Sequence, residues 1–482
     1  MSRRYDLVVI GGGTGGLVSA LIAAGAGARV ALIERERTGG DCLWTGCVPS
    51  KSLIAAAGLA HRMRHADTVG LAPVDPVIDF TRVMEHVRGS IRAIEPHDSP
   101  ARLRAAGVEV IEGDGRFVGP GRIDAAGRRL RWRAAIVASG SRPQPPAIPG
   151  LEEAHALSTD SVWELRELPR ELVILGGGPI GCELGQAFAR LGARVTIVEL
   201  ADRLLLKEEP RASELIAAHL EADGVELRVG RRAIEVRAQA DRSGELILAG
   251  GRAAESVPFD RILVAAGRTP RTEGLGLEAI GVQIDARGAV VVDRRLRTTA
   301  RGVFAVGDVT GLLPFTHVAA HHARVASANA LFGVRREVSD TLPWVTFTDP
   351  EVGRVGLTEA AARERWGEEV VSAESDYASL DRAITAGKPY GFAKLVGDPR
   401  GRLVGATVAA PAGGEAIAEL AAWVSRGEKI SALSRAVHAY PTFAEGPARA
   451  ADDHLTARYS GGGPQALARL VLAILRVVPR RR

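Results

Sequence analysis

The chain has 482 residues, 46% hydrophobic and 25% charged, an ordinary globular composition with material for about three domains, which excludes disorder, collagen-like repeats and a single small binding module. Lys+Arg 62 against Asp+Glu 57 leaves a net charge of +5, a mild excess rather than the concentrated basic face of a nucleic-acid binder, so nucleic acid is not an expected partner. Three cysteines are too few for a secreted disulfide framework, the N-terminal residues run straight into a strand, and no apolar run reaches the ~20 residues of a membrane helix, so a cytoplasmic protein is expected.

The first elements form a strand, a glycine turn, a helix and a second strand. Asp6-Leu-Val-Val-Ile-Gly-Gly-Gly-Thr-Gly-Gly16 places Gly11, Gly13 and Gly16 in a Gly-x-Gly-x-x-Gly pattern, and Glu34 closes the second strand 23 residues after Gly11. In such a turn the first glycine makes the bend, the second lets the backbone approach a pyrophosphate, the third lets helix and strand pack, and the distant acid accepts from a ribose hydroxyl. Shifting by 165 residues reproduces the unit without a gap: Gly176, Gly178, Gly181 and Glu199. One copy would be a weak signal; two, each with its strand, helix and acid, predict two related nucleotide-binding folds.

Directly after the first copy comes Gly39-Gly-Asp-Cys-Leu-Trp-Thr-Gly-Cys-Val-Pro-Ser-Lys51. On an ideal helix Cys42 and Cys47 would have Cα atoms about 8.6 Å apart, beyond the ~7 Å that a disulfide spans. The helix must therefore start late or be distorted, which Gly40, Gly46 and Pro49 permit. A disulfide in a reducing compartment is expected to be catalytic, and a helix N-terminus favours a thiolate at Cys47. Two nucleotide sites beside a dithiol imply electron relay from nicotinamide to flavin to sulfur, with the flavin in copy one. Lys51 is one of five lysines in a chain with 57 arginines, which marks a place where a planar guanidinium would not serve.

Further along, Ile136-Val-Ala-Ser-Gly-Ser-Arg-Pro143 and Ile262-Leu-Val-Ala-Ala-Gly-Arg-Thr-Pro270 read as the exits of the two nucleotide folds. Gly115, Ser139, Gly140 and Gly267 are carried as cofactor-binding candidates. Val303-Phe-Ala-Val-Gly-Asp308 is a strand ending in an acid suited to a ribose or ribityl contact. Glu199 favours an unmodified ribose, so NADH is expected over NADPH, although Arg203 could reach a 2′-phosphate. Cys182 reads as a small packing residue. The pairs His317/His321 and His61/His65 have helical metal spacing but no third ligand, so no metal site is expected.

From Leu342 the strands alternate: Trp344-Val-Thr-Phe, Phe392-Ala-Lys-Leu-Val and Leu403-Val-Gly-Ala-Thr-Val, with a helix around Ala412 to Ser425, an α+β third domain. After Gly461-Gly-Gly, the segment Leu467 to Val478 followed by Arg480-Arg-Arg482 reads either as an amphipathic helix lying on a membrane surface or as a helix docked on the parent fold or a partner subunit. The boundaries expected are 1–150 for the first part of the FAD-binding domain, 151–275 for the NAD(P)-binding domain, 276–340 for the central part, 341–460 for the third domain and 461–482 for a basic, apolar tail.

The doubled fold and the Gly-Gly-x-Cys-x4-Cys-Val-Pro-Ser-Lys segment resemble the class I pyridine nucleotide-disulfide oxidoreductases, the family of glutathione reductase, dihydrolipoamide dehydrogenase and mercuric reductase, over residues 5 to 458. The resemblance implies an α/β fold with two Rossmann-like domains for FAD and NAD(P) and a C-terminal α+β dimerisation domain. It also implies a homodimer whose C-terminal domain completes the partner's site. Cys42 would be the interchange thiol and Cys47 the charge-transfer thiol. Lys51 and Glu183 would pair near the flavin N5, and Asp308 with Pro314, Phe315, Thr316 and His317 would line FAD.

One motif departs from the family. Its disulfide reductases carry a C-terminal histidine with a glutamate five residues on, which protonates the leaving thiolate. Here, in His438-Ala-Tyr-Pro-Thr-Phe-Ala-Glu445, Tyr440 occupies the histidine position; Glu445 is retained and His438 lies two residues earlier. A phenol near pKa 10 is a poorer proton shuttle than an imidazole near 6.5. Tyrosine near this position resembles mercuric reductases, yet no cysteine follows Cys182 to hand over a metal. The expected activity is electron relay from NAD(P)H through FAD and Cys42–Cys47 to a disulfide, metal ion or small electrophile. The alternatives are a quinone or oxygen reductase using the flavin directly and a non-catalytic redox-sensing subunit.

Overall fold

The computed structural model describes residues 4–251, 254–459 and 462–477. Two compact units make up the chain: residues 1–65, 74–204 and 220–339 in the first, and 66–73, 205–219 and 340–482 in the second.

Within the first unit, Tyr5–Ile10 pairs in parallel with Val30–Glu34 on one side and Arg128–Val137 on the other. Glu109–Glu112 and Val303–Ala305 extend the parallel run at either end. All four apolar residues of Leu7-Val-Val-Ile10 are buried, as expected of a parallel strand covered on both faces. The second sheet repeats the plan: Glu171–Leu175 lies between Arg194–Val198 and Arg261–Val264, all parallel. The helix of the first copy, Thr14–Gly25, and that of the second, Pro179–Arg190, coincide after the 165-residue shift. The two exit segments pair with each other, Ser141–Pro143 antiparallel to Arg268–Pro270.

The second unit is built on a five-stranded antiparallel sheet in the order Pro343–Thr346, Glu351–Gly356, Leu403–Ala410, Phe392–Gly397, Val371–Asp376. Its core joins Tyr377, Leu395 and Val408 with Ile417 and Leu420 of the helix Gly413–Arg426. Segment 205–219, which the sequence reading placed in the NAD(P)-binding stretch, clusters with this unit. There Glu208 accepts from Trp344 Nε1 at 2.7 Å and pairs with Arg354 at 2.9 Å, both charged side chains being buried. A buried carboxylate needs such partners.

Candidate active site

The two glycine turns share one geometry. Gly13 and Gly178 cap their helices with φ/ψ of −76/−175° and −77/−176°. A Cβ on Gly16 would lie 1.8 Å from Gly11 O, and one on Gly181 1.9 Å from Gly176 O, so neither third glycine admits a side chain. At Gly178 a Cβ would meet nothing within 4 Å, and at Gly13 only Gly40 Cα at 3.7 Å; these second glycines leave room beside a helix N-terminus, where a pyrophosphate finds free N–H groups. The acids match too. Glu34 Oε2 accepts from Gly12 N and Glu199 Oε2 from Gly177 N, both at 2.6 Å, and the other oxygens accept from Glu36 N and Ala201 N at 2.8 Å. Each carboxylate is thereby fixed at the strand end with lone pairs to spare for a ribose.

The dithiol segment breaks its helix between the cysteines. Cys42 lies in the short helix Gly40–Trp44 and Cys47 opens the helix Cys47–Arg64 after a turn at Thr45 and Gly46. Both are free thiols, Cys42 half-buried and Cys47 exposed. A hydrogen bond from the Cys42 thiol lowers the Cys47 pKa to about 6; Thr316, whose Oγ1 is 3.3 Å away, and the Lys51 ammonium act in the same direction, against partial desolvation by neighbouring groups and Glu183. The same hydrogen bond and burial push the Cys42 thiol well up. The reduced pair therefore holds a thiolate at Cys47 and a proton on Cys42. Cys182 is fully buried, its thiol against Gly177 O at 3.4 Å, with its pKa raised by burial.

Lys51 Nζ donates to Glu183 Oε2 at 2.8 Å, joining the dithiol helix to the helix of the second glycine turn. The same two helices meet again where His61 and Arg190 both hold Asp223. Asp308 accepts from Ser141 Oγ at 2.7 Å, and Ser139 Oγ donates to Arg271 O. A Cβ on Gly115 would lie 3.1 Å from Ile33, so that glycine serves packing as well. Gly140 (φ 71°) and Gly267 (φ 139°) both take backbone angles that favour glycine beside the paired exits. Phe315 caps the helix Thr316–Phe332, and its ring stacks on His317. Among the described residues, no three His, Cys, Asp or Glu are grouped to hold a metal ion; His321 Nε2 accepts from Ser339 N.

Two roles were not read from the sequence. Thr316, singled out only as lining a cofactor, also contacts Cys47. Arg268 donates to Asp41, to Ser141 Oγ at 2.8 Å and to Thr159 Oγ1 at 3.1 Å, tethering the residue before Cys42 to both exits. Its one sequence signal is an acid lodged between Gly40 and Cys42.

In the second unit Tyr440 is exposed and donates to Asp381 Oδ2 at 2.8 Å, which raises its pKa. Glu445 accepts from Thr442 N, and His438 is placed between Ala436 O and Glu419 Oε1. The hydrogen bonds of Tyr440, His438 and Glu445 thus run to separate partners, His438 pairing with Glu419 and not with Glu445.

Two nucleotide cradles and a dithiol with one activated sulfur define a nucleotide-dependent dithiol oxidoreductase. Residues 5–323 match the family model described as pyridine nucleotide-disulphide oxidoreductase, and residues 342–451 match the dimerisation domain of that family. Dihydrolipoyl dehydrogenase of Thermus scotoductus is 36% identical over 453 residues, 93% of this chain and 97% of that protein. Mercuric reductase of Streptomyces lividans is 36% identical over 458 residues, 92% and 94% of the two chains. The Cu(II) complex of the HOCl-induced flavoprotein disulfide reductase RclA from Escherichia coli, 28% identical, superposes with a TM-score of 0.82 over 93% of this chain and 99% of that one.

The chain belongs to the pyridine nucleotide-disulphide oxidoreductase family. It is an FAD-dependent enzyme that takes electrons from a pyridine nucleotide, and its dimerisation domain makes it a homodimer. Among the described residues, no helix is long and apolar enough to cross a membrane.

Proposed function

We propose that this enzyme uses NADH to keep Cys42 and Cys47 reduced and that the dithiol passes its electrons to a thiophilic metal ion, cupric ion being the acceptor of choice. Tyr440 carries this reading: its hydroxyl donates to Asp381, which raises its pKa further above neutrality and makes it a poor acid for a leaving thiolate. Splitting a substrate disulfide leaves a thiolate that must be protonated, whereas reducing a metal ion requires no proton on the acceptor. The RclA relative is described as a Cu(II) complex.

FAD, when bound, supplies the two-electron carrier between nicotinamide and sulfur. The glycine turn at Gly11, Gly13 and Gly16 with Glu34 would hold its pyrophosphate and ribose, and Asp308, Pro314, Phe315, Thr316 and His317 would line it. Lys51 is fixed by Glu183 as a positive charge beside Cys47. Gly176, Gly178 and Gly181 would take the nicotinamide dinucleotide, and Glu199 favours an unmodified ribose. Cys42 meets the acceptor and Cys47 stores the thiolate. As the dithiol closes to a disulfide, two electrons leave, one to each of two cupric ions, and the proton of Cys42 goes to solvent.

Steady-state assays of purified holoenzyme test this. With NADH, cupric ion should be turned over at least about tenfold more efficiently than lipoamide or glutathione disulfide, and NADPH should be the poorer donor. Tyr440→His, which restores the family spacing to Glu445, should raise disulfide turnover by about 100-fold, the lower end of what a positioned acid contributes, and leave cupric turnover near its original value. Faster turnover of a disulfide than of cupric ion by the unmodified enzyme would overturn the assignment.

A further inference from the structure

The final helix, Gly462–Val477, lies beyond residue 451, where the match to the dimerisation domain ends. Every residue from 466 to 476 is exposed. Leu467 and Leu475 are each 61% accessible, and Leu470, Val471, Leu472 and Ile474 are 44–58% accessible. At about 100° per residue, Leu467, Leu470, Val471, Ile474 and Leu475 fall on one face, while Arg469 and Arg476 project from the opposite one. The sequence then adds Arg480, Arg481 and Arg482. Residues 462–482 contain five arginines and no acid, so this segment carries the full net charge of +5 and the rest of the chain is formally neutral.

Sixteen residues span about 24 Å at 1.5 Å each, short of the ~30 Å hydrocarbon core, so the helix cannot cross a bilayer. Two copies paired through their leucine faces would cover those side chains but leave all ten arginines without a countercharge, which an anionic surface supplies. An anionic surface that accepts leucine and isoleucine side chains satisfies both faces at once. We propose that the helix Gly462–Val477 docks the enzyme on anionic lipid bilayers, lying in the membrane plane with its leucine face in the acyl boundary and its arginines among the headgroups, the three arginines that follow in the sequence adding to the attraction.

Vesicle co-sedimentation of the full-length holoenzyme tests this, with phosphatidylcholine vesicles and with vesicles containing added phosphatidylglycerol. The apparent affinity should be at least about tenfold higher for the anionic vesicles and should fall as salt rises. A chain ending at Gly461 should keep its NADH-driven turnover and lose sedimentation with either vesicle. Leu470→Glu/Ile474→Glu, which retains all five arginines, should sediment at least about tenfold less than the unmodified chain. Equal sedimentation of the full and shortened chains would overturn the proposal. So would failure of the full chain to bind anionic vesicles, or a full-length chain that forms assemblies larger than the shortened one and binds no lipid.

Discussion

At Cys47 three neighbours act on one sulfur. The Cys42 thiol, the Thr316 hydroxyl and the Lys51 ammonium all favour the thiolate, and Glu183 opposes them through the same ion pair that fixes Lys51. In the reduced protein, iodoacetamide labelling of Cys47, followed by peptide mass spectrometry, should therefore have a midpoint near pH 6. Lys51→Met should move that midpoint up by about one unit and Glu183→Gln should move it down. A midpoint at the ordinary thiol value of about 8.5, unmoved by Lys51→Met, would contradict the assignment. The cysteines, Lys51 and the two acids were legible because spacing and composition single them out. Arg268 was not, because its partners Asp41, Ser141 and Thr159 lie more than a hundred residues away and only the fold assembles them.

The helix Thr316–Phe332 carries a second kind of dependence. His322, fully buried on this helix, accepts from Gly307 N through Nδ1 and so must be neutral there. Burial, with His321 beside it, lowers its pKa from 6.5 to about 4. The unfolded chain then takes up this proton first, so stability is complete above pH 6.5 and is lost as the pH falls toward 4. Over that interval the loss from this group is about 3 kcal/mol. Urea unfolding at pH 7 and pH 4.5 should show this slope in the native sequence and a weaker one in His322→Gln; equal slopes would contradict it. Elements with strong apolar periodicity, such as Tyr5–Ile10, Glu171–Leu175 and Leu403–Ala410, were readable in the sequence. The strand Val371–Asp376, Val-Ser-Ala-Glu-Ser-Asp, was not, because four of its six residues are polar, and as an edge strand it pairs on one side only and exposes Glu374 and Asp376. Glu351–Gly356 was missed because its centre holds Arg354, whose burial depends on partners outside the strand, Glu208 and the Trp344 ring.

On the scale of the whole chain, the gapless 165-residue repeat was the most informative feature. It placed two nucleotide folds in the first unit with coincident helices and matching carboxylate contacts. Residues 205–219 cluster with the second unit, where Glu208 meets Trp344 and Arg354, a grouping set by contacts more than a hundred residues apart in the chain. In this enzyme pyridine nucleotide is expected to open one specific disulfide, Cys42–Cys47. Thiol counting in denaturant, before and after anaerobic reduction of the oxidised holoenzyme by NADH, tests it most directly. With three cysteines in the chain, one thiol per chain, Cys182, should react before NADH and three after it. A count that NADH leaves unchanged, whether one or three, would contradict the account.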